Sequence, residues 1–502
     1  MTWRMVRLRV IDEMGIPLAQ HPVVRAAVSG KSRREDRAET CYDTPDLKLC
    51  RRGVSLSVRR VGAKWVAKCE EAVWECGKQE NGPEWEDLKK HLPNTLLDGI
   101  KIKNLEALFT IEQAEELWRL EYPDGTRIQM RELTGALCFG SLRQPFHEVV
   151  LTCTAGNPNR FFQTVLALGR HFSGVFEPLT PLTRGFARLD PAVVPMVPWN
   201  GNRTVEGGCV SEVLSKTGES LLRWVMDHLA PLVYGLQESR QEAVINLSFA
   251  VTRLRFLLGV FHVFLPERVA QEMQTELTWF ADELAPLQAW NGLLQEGLRP
   301  MRARFSDYPL LGQVIEQAEE QMELAFQQGV RAVESFRFTQ LISGIAGWLI
   351  GGDGLRAALI ESDPLFVERL RGPAEGVVRE ELRRTHKLVV DRGRKYWRDA
   401  EGDLVEFLPF VEALSQVVLL FIELSTDKKG LRYQEAVVML DRELKGLARL
   451  VGDQRLWGEL DSGAEEAVRH LFNGWQGARM EQGVRGCKRS WEGFMASPVP
   501  FG

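Results

Sequence analysis

Basic side chains recur inside short segments that alternate apolar residues with polar or basic ones. The segments MVRLRV, GVSLSVRRV and KWVAKCE have this period of two, which is typical of β-strands. Phosphate oxygens are bound well by the planar fork of arginine and by the point charge of lysine. A sheet face that carries such residues would bind a phosphate-bearing anion. The candidate anion-binding residues of these segments are Arg7, Arg9, Arg59, Arg60 and Lys68.

A second basic segment has helical character. Residues 379–398, REELRRTHKLVVDRGRKYWR, contain nine Lys, Arg or His residues against three acids. Two interpretations stay open: a solvated helix face neutralised by acids such as Glu380 and Glu381, or a surface for a polyanion or an acidic partner. Spacings of four, seven and four residues place four cations near one stripe of the helix. These are Arg383, Lys387, Arg394 and Arg398.

Length and composition indicate a globular protein with more than one domain. The chain has 502 residues, of which 44% are hydrophobic and 26% charged, and its formal net charge is −5. Arginines interrupt the N-terminal segment where a secretory signal needs an apolar stretch, so we expect a cytoplasmic protein. The longest apolar runs are shorter than the roughly 20 residues of a membrane span, so none is expected. The eight cysteines form no CxxC pair, which favours free thiols.

The two parts of the chain differ in pattern and in charge. Residues 1–190 show strand periodicity with one helix near residues 159–172, and residues 209–490 show amphipathic helical periodicity. The proline- and glycine-rich residues 191–208 are predicted to be a linker. Residues 1–200 carry 28 Lys and Arg against 25 Asp and Glu, whereas the rest carries 35 against 43. The predicted fold is therefore α+β, an antiparallel sheet domain followed by an acidic helical bundle.

The order of the N-terminal motifs resembles a known family. YDTPDLKLCRRGVSLSVRR, KWVAK, YPDGTRIQM, FHEVVLTCTAG and LTRGFARL follow one another as in the CYTH domain of the triphosphate tunnel metalloenzymes. The resemblance implies an antiparallel β tunnel barrel in which basic residues bind a triphosphate, and it adds Arg184 of LTRGFARL to the candidate anion-binding residues. It also implies glutamates that hold Mg²⁺ or Mn²⁺, because hard cations prefer carboxylate oxygens. On this basis the alternative function is a metal-dependent inorganic triphosphatase.

The helical part resembles the CHAD domain, the usual C-terminal companion of CYTH. EAVINLSFAVTRLRFLLGVF and ELTWFADELAPLQAWNGLL are the segments that carry this resemblance. It implies binding of polyanions such as polyphosphate by basic helix faces. Ile245, Ser248 and Thr252 stand where the family pattern has a histidine and two arginines, while Arg253 and Arg255 match it.

Departures from the CYTH pattern fall on the metal site. Met5 and Arg7 occupy the positions of two metal-binding glutamates in the first strand, and Val150 and Thr152 replace acids in a later strand. Glu148 is the one metal-ligand candidate that matches. We therefore expect a non-catalytic binding or scaffold protein with no resident cofactor, and Mg²⁺ or Mn²⁺ only if the triphosphatase alternative holds.

Two points about the arginines and the partners stay open. The arginines of the first domain either bind an anion or form ion pairs with Glu148, Glu70 and Glu115. The helical domain binds polyphosphate or another phosphate anion, or a protein partner. Nucleic acid is not expected, because no basic platform interleaved with aromatic residues is present.

Overall fold

The fold is described from a computed structural model. The described residues are 4–11, 15–61, 64–69, 72–76, 78–79, 82–83, 99–197, 208–265, 267–350, 364–398, 404–420, 428–460, 466–497 and 499.

The N-terminal part forms an antiparallel sheet, as the alternating segments predict. Its nine strands pair in the order β11-β1-β10-β9-β8-β2-β3-β4-β5, and β6 and β7 form a separate pair. Within the described residues this order is open, since no pairing joins β5 to β11. The strands are β1 Met5–Arg9, β2 Arg33–Asp43, β3 Leu56–Val61, β4 Lys64–Cys69, β5 Ala72–Cys76, β6 Lys78–Gln79, β7 Gly82–Pro83, β8 Glu106–Glu121, β9 Arg127–Phe139, β10 Leu142–Ala155 and β11 Val175–Phe176.

Helices follow the sheet, and the helix predicted near residues 159–172 is confirmed as α2. The helices are α1 Pro22–Ala27, α2 Pro158–His171, α3 Pro181–Leu189, α4 Val210–Tyr234, α5 Gln237–Val260, α6 Glu267–Gly292, α7 Arg299–Arg304, α8 Leu310–Val333, α9 Phe336–Leu349, α10 Pro364–Arg371, α11 Ala374–Arg398, α12 Leu404–Leu420, α13 Lys428–Leu460 and α14 Glu466–Ala496. The α+β fold, with an antiparallel sheet before a helical region, is therefore confirmed.

The two faces of the sheet have different chemistry because successive side chains of a strand point to opposite sides. One face is apolar and buried, and Leu8 of β1 lies on it. The Leu8 side chain packs next to Gly169 of α2, where it would contact the Cβ atom of any larger residue. The other face carries Arg7 and Arg9 of β1, and through the strand pairing Glu148 of β10. We call this second face the charged face.

The chain divides into two compact units that are not continuous in sequence. Unit 1 comprises Met1–Val197, Met226–Ala243 and Glu334–Gly347, and unit 2 comprises Pro198–Val225, Val244–Val333 and Trp348–Gly502. The C-terminal end of α4 and most of α9 thus group with the sheet. The predicted domain limits of 1–190 and 209–490 stay predictions, and residues 198–207 of the predicted linker lie outside the described residues.

One described helix has the length and apolar composition of a membrane-spanning helix. It is Gln237–Val260, and half of its most apolar window is buried inside the protein. Core helices of soluble proteins have the same features, so the described residues show no clear membrane span. The seven cysteines whose side chains are described are all free thiols, as expected.

Candidate functional site

Strand register determines which of the predicted anion-binding residues share the charged face. Arg9 pairs with Glu148, and Arg59 pairs with Glu39 of β2 and Val66 of β4. Lys68 lies two residues from Val66 and therefore on the same face, where it is exposed. Arg60 follows Arg59 directly, so it points to the opposite face. The predicted set is thus split between two faces.

Glu148 forms the centre of a buried ion-pair network. The Oε2 atom of its carboxylate accepts from Arg7 Nη1 at 2.5 Å, and Oε1 accepts from Arg184 Nη2 at 2.6 Å. Arg184 comes from α3 and also donates through Nη1 to Glu177 at 2.8 Å. Glu148 is 0% exposed, Arg7 8% and Arg184 7%. Each carboxylate oxygen of Glu148 is therefore bound by a guanidinium of the same chain.

Glu177 extends this network to a helix of unit 1. Its carboxylate accepts from the Tyr234 hydroxyl at 2.9 and 3.0 Å and from the Leu179 backbone N–H at 3.1 Å. Burial raises the pKa of Glu177, while the nearby Arg184 opposes that rise. Burial and the Glu177 carboxylate also raise the pKa of Tyr234, so its hydroxyl stays a donor near neutral pH. Sequence pattern alone did not indicate Glu177 or Tyr234, because both are distant from Glu148 along the chain.

Three other cations of the charged face also have acidic neighbours. Arg9 donates to Glu334 at 2.5 Å, and Arg59 lies 3.9 Å from Glu35. Glu35 is also 3.3 Å from Arg37, whose other guanidinium nitrogen donates to Glu115 at 2.5 Å.

Glu148 and Glu115 thus form ion pairs with arginines, which was one of the two interpretations of the arginines of the first domain. The partner of Glu115 is Arg37, which is not one of the candidate anion-binding residues. Glu70, the third acid proposed as a partner, lies outside the described residues.

The described residues do not fit a divalent metal. In that part of the chain no group of three or more His, Cys, Asp or Glu side chains is arranged to hold an ion. A cation at Glu148 would have to displace Arg7 or Arg184 from a carboxylate with no solvent exposure. Hard cations need several oxygen ligands, and this environment supplies guanidinium groups instead.

The YDTPD motif has a structural role. Asp43 is fully buried, and its carboxylate accepts from the backbone N–H groups of Thr44, Leu49 and Cys50 at 2.6, 2.9 and 2.8 Å. These bonds fix the turn between β2 and the strand that follows it. The Asp43 carboxylate of this motif therefore stabilises the loop by pairing three of its backbone N–H groups.

Helix α11 presents the second basic surface. Its apolar side is buried through residues such as Val378, Leu382 and Val389. On the solvent side are four exposed cations that form no ion pair within the described part of the chain. They span about 60° around the helix axis, given 100° per residue. We call this set the helix stripe: Arg383, Lys387, Arg394 and Arg398.

Other arginines of α11 are neutralised or packed. Arg379 pairs with Glu375 at 2.5 Å, and Arg384 pairs with Glu381 at 2.6 Å. Arg392 lies over the ring of Phe410 at 5.3 Å. The solvated-face interpretation therefore describes these residues, but not the helix stripe.

His386 does not add charge to this surface near neutral pH. Its Nδ1 atom lies 2.9 Å from the Tyr433 hydroxyl, and burial lowers the pKa of the imidazole. Neutral imidazole at this position leaves arginine and lysine as the source of positive potential on α11.

Arg253 and Arg255 of α5 differ from the helix stripe in exposure. Both are half-buried, and the Arg253 guanidinium lies over the Trp224 ring at 5.4 Å. Burial also lowers the pKa of Arg253. This packing is typical of a cation–π contact in a helical core, so Arg253 is poorly placed for a large anion.

Comparison with known proteins supports the helical assignment. Residues 221–416 match the family model of the CHAD domain. The crystal structure of the CHAD domain from the plant Ricinus communis has a TM-score of 0.49 at 18% identity and covers 61% of this chain and 99% of its own. PptA from Streptomyces chartreusis has a TM-score of 0.34 at 13% identity, covering 57% and 100%.

A third similar structure is the putative adenylyl cyclase HpAC1 from Hippeastrum, which is described as having a dominant triphosphatase activity. Its TM-score is 0.23 at 13% identity, and the match covers 37% of this chain and 98% of HpAC1. These scores are too low to transfer an activity. A comparison with curated proteins gave no significant match.

Proposed function

We propose that this protein is a non-catalytic polyanion-binding protein that binds polyphosphate through helix α11. The observation that carries the proposal is the helix stripe, four exposed cations on one side of a helix with no ion pair in the described part of the chain. The stripe lies within residues 374–398, inside the region that matches the CHAD domain. A linear chain of phosphates fits a linear row of cations because each cation can meet a different phosphate group.

The N-terminal sheet acts as a scaffold in this proposal. Its most buried predicted residues, Arg7, Arg184 and Glu148, already neutralise one another. A substrate triphosphate would have to break those pairs, and opening a buried pair leaves an uncompensated charge. The arrangement stabilises the sheet and offers no group placed to activate water.

Binding is tested with the full-length protein and a fluorescently labelled long-chain polyphosphate, followed by anisotropy at low ionic strength. We expect saturable binding that an excess of unlabelled polyphosphate reverses. Failure to bind under these conditions would overturn the proposal and favour a protein partner for the helical region. A protein without a comparable basic stripe, at the same net charge, serves as the control.

Hydrolysis of inorganic triphosphate should not exceed the rate in buffer, with either Mg²⁺ or Mn²⁺ present. The reason is that Glu148 has no free carboxylate oxygen and that the described residues contain no cluster fit for a metal. Release of phosphate is measured at matched protein concentrations of the wild type and the Glu148→Gln variant. Turnover in the ordinary enzymatic range of about 1–1000 per second, lost in the variant, would establish the triphosphatase alternative instead.

A further inference from the structure

Two histidines meet where the first helix of the chain packs against α2. His21 is the residue before α1, His171 is the last residue of α2, and their ring centroids lie 4.8 Å apart. His21 is buried and His171 is half-buried. Neither residue belongs to the ion-pair network around Glu148 or to the helix stripe. We call His21 and His171 the histidine pair.

The hydrogen bonds of the histidine pair define which ring nitrogens carry a proton. His21 Nδ1 accepts from the Val23 backbone N–H at 3.3 Å, so this nitrogen carries none. His171 Nε2 lies 3.0 Å from the Ile16 carbonyl oxygen, which can only accept, so this nitrogen donates its proton. Protonation of His21 at Nδ1 would break the bond to Val23 and leave an N–H group of the first turn of α1 unpaired.

The histidine pair fixes one end of a segment that packs against the sheet. We call residues 16–28 the N-terminal strap. Its side chains Leu18 and Val24 are almost fully buried, and α1 packs against α2 and β8. The other end is held through the backbone, because Val28 forms a β-bridge with Leu120 of β8. Protonation thus acts on the end of the strap that the imidazoles hold.

No carboxylate in the described part of the chain offsets the charge that protonation would add to His21. Burial, and then the neighbouring His171, lower the pKa of His21, and no acid is among the causes of that shift. Protonation of both rings would place two positive charges on imidazoles whose centroids are 4.8 Å apart. The charged residues on the elements around the pair are Arg25 of α1, Arg170 of α2, and Arg119 and Glu121 of β8.

We infer that the histidine pair is a proton-sensitive latch, which holds the N-terminal strap closed at neutral pH and releases it on acidification. Above about pH 6.5, the ordinary pKa of histidine, His21 is neutral and the free energy of closing is fully present. As the pH falls below this value, the open strap binds protons that the closed strap does not, so the closed form loses stability. Release exposes the apolar side chains of Leu18 and Val24. The latch does not depend on polyphosphate binding by α11.

Amide hydrogen exchange of the full chain, corrected for the intrinsic effect of pH, measures opening of the strap. Between about pH 7.5 and 5.5, the protection of residues 16–28 should fall about fivefold or more, because one unit of pKa difference between open and closed forms is a tenfold change in the equilibrium constant. Strand β9 contains no histidine and should keep its protection, so it serves as the internal reference.

Variants test whether the response comes from the histidine pair. The double variant His21→Asn and His171→Gln cannot titrate, but it keeps an acceptor for Val23 and a donor for Ile16, so its strap should be equally protected at both pH values. His470→Asn changes an exposed histidine of α14 and should respond as the wild type does. An unchanged wild-type strap, the same fall in the double variant, or an equal fall in β9 would overturn the inference.

Titration of the individual imidazoles gives a second test that requires no variant to fold. Exchange of the imidazole C2 proton in the wild type, followed by mass spectrometry, yields a titration midpoint for each histidine. A midpoint for His21 below about 6.5 supports the latch, whereas a midpoint at or above this value contradicts it.

Discussion

Glu148→Gln should lower the free energy of unfolding by about 3–5 kcal/mol, because removing one partner of a buried ion pair leaves the opposite charges uncompensated. Arg7 pairs with this carboxylate, Arg184 pairs with it and with Glu177, and the side chains of Arg7, Arg184 and Glu148 are almost fully buried. Glutamine keeps the shape and offers one acceptor oxygen, but not the charge. The measurement is chemical denaturation followed by circular dichroism.

Glu112→Gln is the matched control for this prediction. Glu112 pairs with Arg143 at 2.5 Å, but both side chains are substantially exposed, so the expected loss is below about 1 kcal/mol. Equal losses of unfolding free energy in the two variants would show that burial of the Glu148 network does not increase the cost of breaking its ion pairs. Adding Arg7→Met to Glu148→Gln should recover part of the stability, because it removes the guanidinium that has lost its carboxylate, whereas Arg184 keeps its ion pair with Glu177.

Neutralising the helix stripe should weaken polyphosphate binding about 100-fold or more, given about 1.5–3 kcal/mol for a hydrogen bond to a charged group and four such residues. The variant carries Arg383→Gln, Lys387→Gln, Arg394→Gln and Arg398→Gln. All four side chains are exposed, so the helix should keep its fold. Anisotropy with labelled polyphosphate measures the affinity, and the far-ultraviolet spectrum checks the helix content.

The control for the helix stripe removes four positive charges elsewhere. It combines Arg25→Gln, Arg170→Gln, Arg188→Gln and Arg304→Gln, which change four exposed arginines without an ion pair in the described residues. Its affinity should fall several-fold at most, through the change in net charge. Comparable losses in both variants would mean that binding follows overall charge and does not need α11.

Local pattern predicted the fold well and predicted the pairing of charges poorly. Alternation in MVRLRV and FHEVVLTCT indicated β1 and β10, and helical spacing indicated α2. The same alternation showed that Arg7 and Glu148 occupy strands. It could not show that Arg184 of α3 would reach the same carboxylate, because that contact depends on tertiary packing of elements distant in sequence.

One detail of the sheet explains a further difference. Arg59 and Arg60 are adjacent, so strand geometry alone excludes both from one face, a constraint that the sequence already contained. The prediction that both residues bind one anion was therefore inconsistent with the strand that the same segment predicted.

The salt dependence of polyphosphate binding tests the central claim most directly. Affinity is measured by anisotropy between about 50 and 200 mM salt, for the wild type and for the helix-stripe variant, because each phosphate contact adds to the slope of log affinity against log salt concentration. Our account predicts a steep negative slope for the wild type and a much flatter one for the variant. Identical slopes in the two proteins, or wild-type binding that does not change with salt, would contradict it.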